Sequence, residues 1–158
     1  MTRYPESKLT TDGKMIRLIE GAEQALLAGR RQKQEDVESA VAIFLELLRG
    51  FELFDVEGPC VTVFGSARVQ EDEPAYHSAM HLGARLAEAG FTVMTGGGPG
   101  LMEAANRGAR EAGGRSLGCN IRLPEEQDPN PYLDAYVEFE HFFVRKVMLV
   151  KFSSAFVV

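Results

Sequence analysis

The chain has 158 residues, is 45% hydrophobic and carries a formal net charge of −6. That length suits one domain with a buried core, and the apolar fraction is that of an ordinary globular protein. The acidic balance argues against a nucleic-acid-binding surface, no run reaches the length of a membrane span, and residues 1–8 hold no apolar signal core. The expectation is a cytoplasmic protein with neither nucleic acid nor membrane as partner.

Residues 1–11 read as a polar arm. Met15, Ile16, Ile19, Ala22, Leu26 and Leu27 recur at helical spacing. They predict a helix over Asp12–Ala28, with Gly29 where a stop belongs. Residues 30–34 are a basic and polar connector. A second helix is expected over Glu35–Leu48, with Val37, Val41, Phe44, Leu45 and Leu48 on one side and Gly50 near its end. So wide a stripe fits packing on the domain or a subunit interface. Residues 1–55 thus form an N-terminal arm and two helices, and residues 56–158 a separate α/β unit.

That unit opens after Gly58-Pro59 with the apolar strand Cys60–Phe64, of the kind expected when helices cover both sheet faces. A helix over Pro74–Ala89 follows, then a strand over Phe91–Met94 and a glycine-rich loop, Thr95–Gly100. Leu101–Ala112 is the next helix and Arg115–Ile121 the third strand. Pro124–Pro131 is a proline-rich acidic loop. Tyr136–Phe139 reads as a short strand, His141–Lys151 as a helix, and Ala155–Val158 as the start of another buried strand. The alternation predicts a Rossmann-like α/β fold: a mostly parallel sheet with right-handed crossovers and helices on both faces. Cys60 and Cys119 fall in apolar strands and read as buried free thiols.

Thr-Gly-Gly-Gly-Pro-Gly, residues 95–100, joins a strand to a helix N-terminus. Such a turn exposes unpaired backbone N–H groups beside the positive end of the helix dipole and suits a phosphate. It is not a P-loop, because no Gly-Lys-Ser or Gly-Lys-Thr follows. It is a poor dinucleotide fingerprint too: Glu103 stands at the third glycine position. Gly96, Gly97, Gly98 and Gly100 are therefore phosphate-binding candidates. In open parallel sheets ligands sit beyond the C-terminal strand ends, so Gly65, Ser66 and Arg68 after the first strand join them. Ser66 and Thr95 can offer hydroxyls to a phosphate or ribose, and Arg68 a charge. His77 and His81 have metal-ligand spacing without a third ligand, so neither a metal nor a bound cofactor is expected.

Three ordered segments resemble a known family: Val-Phe-Gly-Ser-Ala-Arg (63–68), Gly-Gly-Gly-Pro-Gly-Leu-Met-Glu-Ala-Ala-Asn (96–106) and Phe-Phe-Val-Arg-Lys-Val-Met-Leu (142–149). They resemble the LOG ("Lonely guy") proteins, cytokinin riboside 5′-monophosphate phosphoribohydrolases long mislabelled as lysine decarboxylases. The resemblance covers roughly Pro59 to Val158. It implies a Rossmann-like fold, a homodimer or higher homo-oligomer, and hydrolysis of a nucleoside 5′-monophosphate, AMP or a cytokinin riboside monophosphate, to free base and ribose 5-phosphate. It also implies Arg145 as a catalytic arginine, Lys146 beside it in the motif as a substrate-binding residue, and Met102 where the base packs. The family continues into Pro-Gly-Gly-x-Gly-Thr-x-x-Glu, which supplies more phosphate-binding backbone and an essential glutamate. The sequence ends where that motif would begin, so an incomplete family site is expected.

Two further readings stand beside hydrolysis. The same scaffold serves as a carrier of phosphorylated cofactors, such as the molybdenum cofactor carriers, and a site without the glutamate motif fits a nucleotide binder or sensor. The two N-terminal helices also allow an assembly domain with a vestigial cleft.

Overall fold

The protein is described by a computed structural model covering residues 22–30, 32–54, 56, 58–122 and 128–158. The polar arm, residues 12–21 of the expected first helix and the first half of the acidic loop lie outside these residues. Five strands form the sheet: β1 (Cys60–Val63), β2 (Thr92–Thr95), β3 (Ser116–Ile121), β4 (Ala135–Phe139) and β5 (Ala155–Val157). Their order is β4-β3-β2-β1-β5, and every neighbouring pair is parallel. The chain steps outward from β1 to β4, then returns to place β5 on the other side of β1. The strand order therefore reverses between β1 and β5, the point at which ligands collect in such sheets.

Helices α1 (Ala22–Leu27), α2 (Lys33–Leu53), α3 (Pro74–Glu88), α4 (Leu101–Glu111) and α5 (Phe142–Lys151) cover both faces. On one face Cys60, Met94, Leu117, Cys119 and Ile121 meet Val144, Met148 and Leu149 of α5, with Ile43 and Leu47 of α2 and Phe54 packed alongside. On the other, Val61, Val63 and Val93 meet Ala105 and Ala109 of α4 and Leu86 of α3. Strand residues alternate between the two clusters because side chains point to opposite faces in turn. Burial on both faces is what makes β1, β2 and β3 continuously buried. Each fully buried Val or Leu contributes about 1.5–3 kcal/mol.

Two expectations change and one pair of alternatives narrows. Helix α2 runs to Leu53, past Gly50, because Gly50 lies against Met148: a Cβ there would overlap its thioether. The glycine is a close-packing position inside the helix, not its end. The apolar stripe of α2 also faces away from the sheet. Val37, Val41, Phe44 and Leu45 are more than half exposed, while Ile43 and Leu47 make the core contact. Lastly, β5 is an exposed edge strand, not a buried one. It has one neighbour, β1, and its Phe156 stacks on Phe64 with ring centroids 6.2 Å apart.

Candidate functional site

The glycine loop follows β2 and lies next to the loop after β1. Gly100 has φ +71°, a left-handed conformation that disfavours other residues, and a Cβ there would strike the backbone of Ser66 and Ala67. A Cβ at Gly65 would strike Leu101. The two loops therefore interlock through glycine, and Ser66 carbonyl oxygen accepts the N–H of Leu101, the first residue of α4 (3.0 Å).

A buried amide network fixes the loop from below. Thr95 hydroxyl donates to Asn106 Oδ1 (2.6 Å) and accepts the N–H of Gly97 (2.9 Å). Asn106 Nδ2 donates to Ser116 Oγ (2.8 Å), tying α4 to β3. Asn130 donates its backbone N–H to Gly97 carbonyl (2.9 Å) and its side-chain amide to Gly98 carbonyl (3.1 Å) and Asn106 Oδ1 (3.0 Å). In a trans peptide N–H and C=O point in opposite directions. Holding Gly97 carbonyl toward Asn130 thus turns Gly98 N–H the other way. Among the described residues, the N–H groups of Gly98, Gly100, Met102 and Glu103 have no acceptor. They form the donor set that a helix N-terminus offers an anion.

Arg145 supplies the charge. It sits on α5, and its guanidinium lies directly against Gly96: a Cβ added at Gly96 would collide with it and with Met102 Sδ. Nε donates to Cys119 carbonyl (2.7 Å), and the guanidinium lies over the Phe142 ring at 5.5 Å from its centroid. Among the described residues no carboxylate pairs with Arg145. Burial pushes its pKa below the ordinary arginine value, partly offset by Cys119. A cation withdrawn from water without a partner is costly, and an anion beside it removes that cost. Burial likewise pushes the Cys119 thiol up to about 12.

The structure thus brings Gly65, Gly96, Gly97, Gly98, Gly100, Met102 and Arg145 to one edge of the sheet. It places Thr95 beneath the loop, fully buried, where its hydroxyl bonds Asn106 Oδ1 and the loop backbone. Ser66 is exposed, and its hydroxyl accepts the N–H of Arg68 within the turn (3.2 Å). Arg68 is exposed. Lys146 is exposed as well, one helical step from Arg145, with Nζ 5.4 Å from the Phe142 centroid. Glu103, in the first turn of α4, accepts the Tyr76 hydroxyl (3.0 Å). His77 and His81 are exposed on α3, and among the described residues no group of three His, Cys, Asp or Glu could hold a metal ion.

Sequence patterns miss Asn120 and Asn130, and they include Asn106 in the 96–106 segment without giving it a role. Asn120 is the penultimate residue of β3 and lies near Gly97. Its Oδ1 accepts the N–H of Ile121 (2.8 Å), and its amide nitrogen is buried with no partner among the described residues. A buried polar atom of this kind asks for an explanation, and a ligand acceptor is one.

A family description, the SLOG cluster4 family, matches residues 59–158. The chain belongs to this family. The SLOG match spans the whole sheet and both loops of the site. An uncharacterized protein of Archaeoglobus fulgidus is 32% identical over 87 residues, which is 54% of this chain and 56% of that protein. The chain thus spans little more than half the length of this curated relative. The molybdenum cofactor binding protein of Rippkaea orientalis is similar in structure at a TM-score of 0.52 and 26% identity, covering 65% of this chain and 62% of that one. A Moco carrier protein of Chlamydomonas is similar at a TM-score of 0.51 and 26% identity, covering 64% and 60%. The SLOG assignment supports the Rossmann-like expectation and includes LOG-like proteins without singling them out. No helix among the described residues is long and apolar enough to cross a membrane.

Proposed function

We propose that residues 56–158 bind a nucleoside 5′-monophosphate, with the phosphate at the glycine loop and Arg145, and that the cytoplasmic protein built on this site hydrolyses its N-glycosidic bond. The observation that carries the reading is the unpaired, largely buried Arg145 guanidinium set against Gly96 beside free N–H donors. Four of its five N–H groups remain for a phosphate oxygen or the leaving base. Met102 packs near the same glycine, a polarizable apolar surface for a base. In such a reaction the bond from C1′ to the base breaks through an oxocarbenium-like state. Water oxygen bonds to C1′ and its proton passes to the base. A carboxylate must stabilise that cation or activate the water. Glu103 is held by Tyr76, so the reading assigns it no such part. The LOG resemblance places the carboxylate in the Pro-Gly-Gly-x-Gly-Thr-x-x-Glu motif. On this reading the glycine loop, Met102 and Arg145 bind and orient the nucleotide, and the carboxylate's part is left to that motif.

A second reading is favoured by the similarity to molybdenum cofactor binding and carrier proteins. The same loop and arginine would then hold the phosphate of a pterin-type cofactor as cargo, without turnover. Release of adenine and ribose 5-phosphate from AMP separates the two. Turnover supports the hydrolase. Saturable AMP or phosphopterin binding with no base released supports the carrier. Absence of binding by either ligand contradicts both. The exposed apolar stripe of α2 further supports self-association.

A further inference from the structure

Helix α5, which carries Arg145, begins at Phe142 with His141 as its N-cap, and His141 makes no side-chain capping bond to its own helix. The helix N-terminus is instead satisfied from elsewhere in the chain. Glu46 of α2 accepts the backbone N–H of Glu140 at Oε1 (3.1 Å) and that of His141 at Oε2 (3.3 Å). His141 Nδ1 lies 3.1 Å from the same Oε1, so it carries the proton and donates. Glu23 of α1 accepts the N–H of Phe142 at Oε2 (3.1 Å). His141 is buried and the Glu46 side chain nearly so. Two carboxylates from the N-terminal helices therefore sit at the positive end of the α5 dipole, where negative charge is favoured.

The first hydrogen bond of α5 runs from Arg145 N–H to His141 carbonyl (3.1 Å). Arg145 thus stands one turn above the residue that Glu46 grips by both its backbone N–H and its ring. At the other end of its side chain, Arg145 has a single hydrogen-bond anchor among the described residues, Nε to Cys119 carbonyl. The guanidinium has little slack, because it must pass between Phe142, Cys119 and Gly96. Its placement depends on where α5 starts. That start is set by groups 95 and 119 residues away in sequence, not by the helix itself.

We propose that Glu46, assisted by Glu23, is a positioning residue for Arg145, so that the two N-terminal helices are part of the anion site. It acts through the α5 backbone and touches no ligand. The proposal rests on the nucleotide-binding reading for its effect on affinity, but not for its effect on Arg145 itself.

The test uses the 158-residue chain, as wild type, Glu46→Ala and Glu46→Gln. Two quantities are read at low temperature, where circular dichroism shows each variant folded. One is the NMR resonance of Arg145 Nε–H, assigned through Arg145→Lys, with no ligand present. The other is AMP affinity by calorimetry. Glu46→Ala is expected to shift or broaden the Nε–H signal and weaken AMP by about tenfold or more, since misplacement by an ångström is costly. Glu46→Gln keeps one carbonyl acceptor and recovers part of both; it also replaces the alanine variant if that one does not fold. A folded variant with an unmoved Nε–H signal and AMP affinity within about twofold of wild type, whatever its melting temperature, overturns the proposal. Wild-type protein that binds no AMP overturns the nucleotide reading instead, and the Nε–H signal still decides the positioning role.

Discussion

A guanidinium held away from water keeps its charge only at an energetic cost, and among the described residues Arg145 meets that cost with one carbonyl and one aromatic ring. An entering phosphate would add charge-assisted hydrogen bonds. Removing the guanidinium in Arg145→Ala is therefore expected to weaken phosphate-dependent binding by about 2 kcal/mol, roughly thirtyfold. The arginine–lysine pair shows what residue order can and cannot reveal. Adjacent residues on a helix point in different directions, so the two do not share one role at the site. Both lie over the Phe142 ring, but it is Arg145 that reaches Cys119 carbonyl and Gly96, while Lys146 is exposed. A second residue-scale prediction concerns Cys60. Burial pushes its thiol from an ordinary 9.0 up to about 11, with a hydrogen bond from Ser153 acting the other way. The folded state then holds its proton where the unfolded chain loses it. The stability this thiol contributes is intact below pH 9 and is lost as pH rises toward 11. Thermal unfolding measured between those values should decline more steeply for wild type than for Cys60→Ala.

Elements were legible where their ends are chemically marked. Strands β1, β2 and β3 are apolar runs because both faces are covered, and glycines follow α3 and α4. Gly50 misleads for a reason of the same scale: within a helix, a missing Cβ can serve a neighbour's side chain and not a turn. Helices α3 and α4 make this use of glycine throughout their contact. A Cβ at Gly83 would overlap Ala105 carbonyl, and one at Gly108 would overlap Met80 carbonyl. These are backbone obstacles, which cannot rotate away. Gly108→Ala should therefore destabilise the protein by about 1–3 kcal/mol despite alanine's better helix propensity, as read by urea denaturation. A neutral result would mean that the two helices slide apart easily. Because α4 carries the glycine loop on its N-terminus, the same substitution should also weaken anion binding.

Across the whole molecule, the strand order and its reversal at β1 and β5 depend on pairings that no local pattern records. The glycine loop was legible because three consecutive glycines exceed what a turn requires. Its support was not: Thr95, Asn106, Ser116 and Asn130 lie on four separate segments, and ordinary polar residues give no sign of meeting in a core. The contribution of Glu46 and Glu23 was hidden for the same reason. The outward face of α2, with Phe44 and Leu45 each more than half exposed, leads to a further expectation at this scale. Light scattering after size exclusion should give at least twice the monomer mass, and Phe44→Glu with Leu45→Lys should restore the monomer. A wild-type monomer at high micromolar concentration would contradict that expectation.

On the proposed function, Arg145 and the glycine loop recognise the phosphate of a nucleotide. Calorimetric titration of AMP, ribose 5-phosphate and adenosine into wild type and Arg145→Ala tests it most directly. The expected result is saturable binding of AMP and ribose 5-phosphate, little binding of adenosine, and a loss of about thirtyfold in AMP affinity in the variant. Adenosine binding as tightly as AMP, or an Arg145→Ala variant that binds AMP as wild type does, would contradict it.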